Sequence, residues 1–212
     1  MCTRYYMELS PELKPYIDRA LRSPLCAEIA AKLGKSMKTE GEVRPTDIAP
    51  VIAPDRSRNP AVFPMLWGFT NPCKSGQPLV NCRLETAKDK PLWKESWNRR
   101  RCIIPCSYYY EWEHYTTPAG RKKAGQKYMI LPKGHTAVTY LAGLYDIEEK
   151  NGLRLPVFTV LTKEPAETIR FIHDRMPFIL DKEHVEAWMN PDSDPEEIAS
   201  YALTDMCYKK AE

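Results

Sequence analysis

Residues 101–113 read Arg-Cys-Ile-Ile-Pro-Cys-Ser-Tyr-Tyr-Tyr-Glu-Trp-Glu. Residues 101–105 form a short apolar run, and residues 107–113 are dense in aromatic rings; both read as strands. Period two then puts Glu111 on one face with Tyr109, and Tyr108, Tyr110 and Trp112 on the other. A carboxylate set among rings loses hydration, its pKa rises, and it suits general acid or base work. A Glu pointing at water from an edge strand fits the same letters equally well.

The same texture extends from Glu42 to about Thr162. Runs rich in Val, Ile, Tyr and Phe at 48–53, 62–67, 127–131, 136–145 and 155–162 read as further strands. Residues 118–126 read as a basic hairpin loop and residues 148–152 as a turn. Prolines near the run starts predict edge strands and irregular connections.

Helical signals flank this block. Ser10-Pro11-Glu12 reads as an N-cap, a proline at the first helical position and an acidic first turn, with Leu13, Ile17 and Leu21 at helical spacing. Ser23-Pro24 restarts the pattern through Leu25, Ile29 and Leu33, and Gly34 fits the residue after the helix. Glu164-Pro165 opens a short helix towards Ile172, Asp181 caps another through Met189, and Asp194-Pro195-Glu196-Glu197 leads a third to Leu203. Helices, then strands, then helices predict an α+β fold. A single domain over 1–212 is expected, a curved, mostly antiparallel sheet with flanking helices.

The 212 residues are 43% hydrophobic and 28% charged, which fits a folded soluble chain and excludes a disordered one. The uncharged run 60–73 is too short and too broken by proline to span a bilayer. The opening Met-Cys-Thr-Arg-Tyr-Tyr has no apolar core of a secretory signal, so a cytoplasmic protein with no membrane partner is expected. The 7 cysteines are then reduced thiols. Cys102, Cys106 and His114 share strand parity, but their spacing fits no common zinc pattern; buried thiols are expected, with no metal and no cofactor. A net charge of +3 is too mild to establish a polyanion partner by itself.

Cys2 follows the first Met, and its small side chain permits removal of Met1. The residue would then carry a free α-amine beside a thiol, with ordinary pKa values near ~8 and ~8.5. An aldehyde forms an imine with the amine, and the thiol of the same residue closes a thiazolidine ring with the advantage of proximity. Taken alone, a cysteine at position 2 is an ordinary residue. His173, just past an expected helix, has the chemistry of an acid–base group or phosphate contact, or of a surface cap. Arg4, Arg44, Arg83 and the run Arg99-Arg100-Arg101 carry positive charge, and Trp67, Trp93, Trp97 and Trp112 offer rings. Cations interleaved with aromatics equip single-strand binders, and core aromatics with a solvated charge run have the same composition.

Together these segments resemble the SRAP (SOS-response-associated peptidase) family of abasic-site processing proteins. The matching pieces are Met1-Cys2-Thr3-Arg4-Tyr5, Pro45-Thr46, Trp67-Gly68, Asn81-Cys82-Arg83, Arg101-Cys102-Ile103-Ile104-Pro105, Tyr109-Tyr110-Glu111-Trp112, Ala142-Gly143-Leu144-Tyr145 and His173-Asp174-Arg175-Met176-Pro177, in the family order. The resemblance implies a pseudo-barrel that binds single-stranded DNA at an abasic site. It implies a covalent thiazolidine link through Cys2 to the ring-opened sugar, with self-removal of Met1 and lyase chemistry on the same strand. It assigns Asn81 to holding the sugar or adduct, Glu111 to ring opening and proton shuttling, and His173 to a second acid–base and phosphate contact. Arg4 and Arg83 are implied phosphate contacts; Trp67 and Pro45 are implied to form the groove for flanking bases. A monomer is expected. The chain departs from the family pattern at Thr3, Glu42, Arg44, Tyr108 and Cys82. Two other functions fit the same residues: a cysteine peptidase acting on other proteins, and a non-catalytic single-strand binding module.

Overall fold

The structure, a computed structural model, describes residues 2–117, 120–134 and 137–212. Met1, Pro118, Ala119, His135 and Thr136, some of them within the expected loop at 118–126 and the expected strand at 136–145, lie outside the described residues. The chain runs β1 (Arg4–Met7), α1 (Lys14–Leu21), α2 (Pro24–Leu33), β2 (Gly41–Val43), β3 (Ile48–Pro54), β4 (Pro60–Trp67), β5 (Asn81–Arg83), α3 (Leu84–Ala87) and α4 (Pro91–Arg99). It continues with β6 (Arg101–Cys106), β7 (Tyr108–Thr116), β8 (Lys122–Pro132), β9 (Thr139–Lys150), β10 (Leu153–Lys163), β11 (Met176–Pro177), β12 (Ile179–Leu180), α5 (Val185–Met189), α6 (Pro195–Ala199) and β13 (Met206–Lys210).

The strands divide into two systems. In the first, β10 pairs with β4, β4 with β3, β3 with β6, β6 with β9, and β9 again with β10. The path returns to its start, so these strands form a closed barrel without a free edge. All its pairings are antiparallel except β10 with β4. β5 adds to β10, and the short β11 and β12 extend β10 and β9. The second system is an open sheet in the order β13-β8-β7-β1-β2. The expected α+β class, with curved and mostly antiparallel sheets and flanking helices, holds.

Closure depends on small, specific devices. Gly143 on β9 faces both β6 and β10, opposite Cys102 and Val160. A Cβ there would lie 2.6 Å from the Thr159 carbonyl oxygen and 2.7 Å from Ile104 Cδ1, so the strands meet only because the side chain is absent. Arg101 is 1% exposed, and among the described residues it donates to carbonyls and to no carboxylate. Its guanidinium donates to the carbonyls of Trp188 at 2.6 Å, Trp97 at 2.8 Å and Ser193 at 3.1 Å, and also to Asn190. Those donations hold the loop after α5 against the end of α4.

Ser107 is the corner where the chain leaves the barrel for the open sheet. Its N–H donates to the Tyr6 carbonyl at 2.8 Å, its hydroxyl oxygen accepts from the Glu8 N–H at 2.8 Å, and its carbonyl accepts from the Thr139 hydroxyl at 2.9 Å. A residue 2% exposed thus has its polar groups satisfied by both sheets.

Several expectations are corrected. The prolines of β3 and β4 do not mark edge strands, for both strands lie in the closed barrel. Pro50 stands opposite Pro64 and Pro54 opposite Pro60, so missing donors share rungs. α1 starts at Lys14, not after Ser10; the Ser10 hydroxyl instead accepts from the Leu13 N–H at 3.1 Å in a turn before the helix. Ser23 and Gly34 cap α2 as expected, Gly34 at φ 62°. The segment after Glu164 forms one 3-10 turn, Glu167–Ile169, rather than a helix to Ile172. α6 ends at Ala199, short of Leu203. β8 begins at Lys122, inside the expected loop, and the expected turn at 148–152 narrows to Asn151-Gly152 at φ 52° and 67°. Among the described residues no helix is long and apolar enough to cross a membrane.

Candidate active site

Four of the sequence-selected side chains converge where the open sheet meets the barrel. β1 is threaded between β2 and β7, with Arg4 opposite Tyr110 and Tyr5 opposite Tyr109. Glu111 is the next residue of β7 in the direction of the chain start. β5 runs parallel to β10, with Asn81 opposite Val160, and brings Asn81 across from the barrel side. The Asn81 side-chain amide donates to the Cys2 carbonyl at 2.9 Å. The same amide's Oδ1 is buried and has no hydrogen-bond partner among the described residues. A buried acceptor left in this way costs about 1–3 kcal/mol, so it points to a donor that the site is built to receive.

His173 arrives from the segment before β11. Its Nε2 is 3.9 Å from Glu111 Oε1. The Arg175 N–H donates to its Nδ1 at 3.0 Å, and Asp174 Oδ1 lies 2.7 Å from the same nitrogen. A bare Nδ1 is held by the amide, and a protonated Nδ1 by the carboxylate, so the ring is equipped for either form. Cys2, Glu111 and His173 are 0%, 4% and 7% exposed.

The alternation of β7 explains how a strand supplies a buried acid. Tyr109 and Glu111 face inward and are buried, whereas Tyr108, Tyr110 and Trp112 face outward and are half-buried. Burial pushes the Glu111 carboxyl up from 4.5 to about 7. A carboxyl there divides between acid and base near neutral pH, as proton transfer in both directions requires. Burial pushes the Cys2 thiol up, and the charge of Glu111 adds to the effect. Cys106 and Tyr109, fully buried beside Cys2, are raised chiefly by burial as well. Sulfur attack at this site therefore needs a base to take the proton, and Glu111 is the neighbouring candidate.

The other sequence-selected residues separate by exposure. Arg4 is half-buried; its Nη1 donates to the Thr3 carbonyl at 2.7 Å and its Nε lies 3.2 Å from Glu42. Arg83 is exposed at the start of α3. Pro45 is half-buried in the turn from β2 to β3, where Thr46 takes φ 71°, a strained conformation for a β-branched residue. Trp67 has no exposed surface. Its ring packs 5.1 Å from Tyr5 and 6.0 Å from Phe158, and its Nε1 donates to the Val80 carbonyl at 2.9 Å. It supports β1 from below rather than offering a face to a base.

The sequence reading gave no role to two residues that the fold brings here. The His114 ring lies 4.4 Å from that of His173, and the His114 backbone N–H donates to the Ile172 carbonyl at 3.2 Å. Arg175 makes paired donations to Glu85 at 2.9 and 2.8 Å and another to the Thr162 carbonyl, and so fixes the backbone beside His173. Each partnership joins residues far apart in the chain; the motif around His173 was the available signal for Arg175. Among the described residues no cluster of His, Cys, Asp and Glu could hold a metal ion.

The family model described as SOS response associated peptidase (SRAP) matches residues 1–211. The chain is 34% identical to the abasic site processing protein YobE of Bacillus subtilis over 77% of both chains. It is 28% identical to the abasic site processing protein YMR114C of Saccharomyces cerevisiae, over 73% of this chain and 41% of that one. A crystal structure of a protein from Bacteroides thetaiotaomicron shares the fold at TM-score 0.73 and 22% identity, covering 100% of this chain and 92% of that chain.

Proposed function

Because the chain belongs to the SRAP family, we propose that it processes abasic sites in single-stranded DNA by covalent capture through Cys2. With Met1 removed, the Cys2 amine attacks the C1′ aldehyde of the ring-opened sugar, and water leaves as the imine forms. The thiol then adds across the carbon–nitrogen bond. A sulfur–carbon bond forms, the thiol proton passes through Glu111, and nitrogen ends protonated in a thiazolidine ring. The product is the sum of aminothiol and aldehyde less one water.

Each neighbour has a task in this sequence. Glu111, raised to about 7, protonates the sugar ring oxygen as the ring opens and later accepts the thiol proton. His173 holds the lesion's phosphate or sugar oxygen from the other side. Asn81 fixes the Cys2 carbonyl and turns its vacant Oδ1 towards a sugar hydroxyl or the new ring nitrogen. Arg4 and Arg83 take flanking phosphates. The imine also acidifies C2′; if a base removes that proton, the bond to the 3′ phosphate breaks, which is lyase chemistry. A missing base lowers the cost of presenting the sugar.

The observation that carries the reading is the Asn81 amide bonded to the Cys2 backbone beside a buried, half-titrated carboxyl. A peptidase acting on other proteins would need a thiol poised as thiolate, whereas burial and Glu111 push this one the other way. The test is an abasic single-stranded oligonucleotide run on a denaturing gel with wild type and Cys2→Ala. Wild type should give a retarded band and Cys2→Ala none. Equal bands from both would overturn the assignment.

A further inference from the structure

One carboxylate sits at the centre of the cations nearest the chain start. Glu42 on β2 places Oε1 3.2 Å from Arg4 Nε and 2.7 Å from Arg44 Nε, and Oε2 3.6 Å from Lys127 Nζ. Lys127 in turn lies 3.9 Å above the Tyr110 ring and 5.7 Å from that of Trp112. These groups share the outer face of the open sheet. Tyr6 is opposite both Glu42 and Tyr108, Arg4 is opposite Tyr110, and Lys127 is opposite Trp112. The Tyr6 and Tyr108 rings stack at 5.1 Å.

The face thus has half-exposed rings and three cations, as a strand of nucleic acid would require. Its cations are already engaged. Burial pushes the Glu42 carboxyl up, but Arg44, Lys127 and Arg4 outweigh it and hold the group below the ordinary carboxylate range. Glu42 is therefore an anion at neutral pH, with a side chain 20% exposed. Folding does not require it, for partly exposed ion pairs on an edge strand contribute little to stability.

We propose that Glu42 is a specificity-determining residue, an internal anion that occupies the cations a strand phosphate would otherwise take. This rests on the single-strand reading above and adds to it. A phosphate approaching Arg4 or Lys127 must displace the carboxylate, so every strand, damaged or intact, binds less tightly. An intact strand has no further source of affinity and leaves. An abasic strand is retained by the covalent bond. Selectivity between partners commonly comes from such a penalty applied to all of them and recovered by one.

The experiment measures binding of an intact single-stranded oligonucleotide by fluorescence anisotropy across a salt series, for wild type, Glu42→Gln and Glu42→Asn. Abasic-strand crosslinking is measured in parallel. Both variants should bind the intact strand about 3–10-fold more tightly near 0.1 M salt, with log K falling more steeply by about 0.7 per decade of salt, as one more phosphate contact implies. Excess intact strand should compete with crosslinking more strongly in the variants. Unchanged or weaker binding by two folded variants, while crosslinking persists, overturns the role of Glu42 alone. If no protein binds the intact strand and none crosslinks, both this inference and the single-strand reading fall.

Discussion

The closed barrel and the open sheet are built from the same kind of strand and are used differently. β6 is buried at every position and β10 at nearly every one, and Arg101 and Thr162 on them donate to backbone carbonyls. β7 alternates, with Tyr109 and Glu111 inside and Tyr108, Tyr110 and Trp112 half-exposed. The barrel closes on itself and buries its polar side chains, the Thr159 hydroxyl on β10 among them without a hydrogen-bond partner among the described residues. The open sheet keeps an inner face against the barrel and an outer face to solvent, and the site lies at the seam between the two. The open sheet supplies Cys2 and Glu111 to that seam, the barrel side supplies Asn81 and His173, and Ser107 is the joint.

That division can be broken from the barrel side with the largest effects. Arg101→Leu should cost about 3–5 kcal/mol, because it strands several buried carbonyls at once. The urea midpoint measures it, and a loss below 1 kcal/mol would mean that water replaces the guanidinium. Gly143→Ala should cost about 2–3 kcal/mol by forcing β10 away from β9. Its crosslinking yield should fall only in proportion to the folded fraction.

Changes on the open-sheet side should separate stability from chemistry. The Glu111 carboxyl is raised from 4.5 to about 7, so the folded chain holds that proton more tightly than the unfolded one. Wild type should therefore lose stability as pH rises from about 4.5 to about 7 and level off above, by about 1–3 kcal/mol in all. Glu111→Gln should remove that slope and be the more stable protein at pH 8, while crosslinking far more slowly. A wild-type curve that is flat over this range, or that rises, would refute the burial argument. At the small end, Asp205→Ala removes an ion pair with Lys133 that is 69% exposed on each side, and should change stability by less than about 1 kcal/mol.

The sequence carried the alternation of β7 in full, because period two needs only the order of residues. It also carried α2, whose cap Ser23 and terminal Gly34 act locally. It could not carry the barrel closure. Gly143 reads as one more glycine until β6 and β10 are both brought against it. α4 was not among the expected elements; Trp93 and Trp97, one helical turn apart among charges, fitted stacking rings or core aromatics, and both are buried. Trp67 was assigned to a groove by the family resemblance and lies in the core. β1 is short and lacks a flanking turn signal, yet it places Cys2. His114 became visible only when the chain folded it against His173. Local patterns offered Cys2, Glu111 and His173 beside plainer readings, the family resemblance added Asn81, and long-range pairing decided which of them meet.

The most direct test of the central claim is the intact mass of the purified protein before and after incubation with an abasic single-stranded oligonucleotide. The account predicts a free protein lacking Met1, and a denaturation-resistant species equal to that mass plus the oligonucleotide less one water. A protein that keeps Met1, or one that lacks it and gains no mass from the abasic strand, would contradict covalent capture by Cys2.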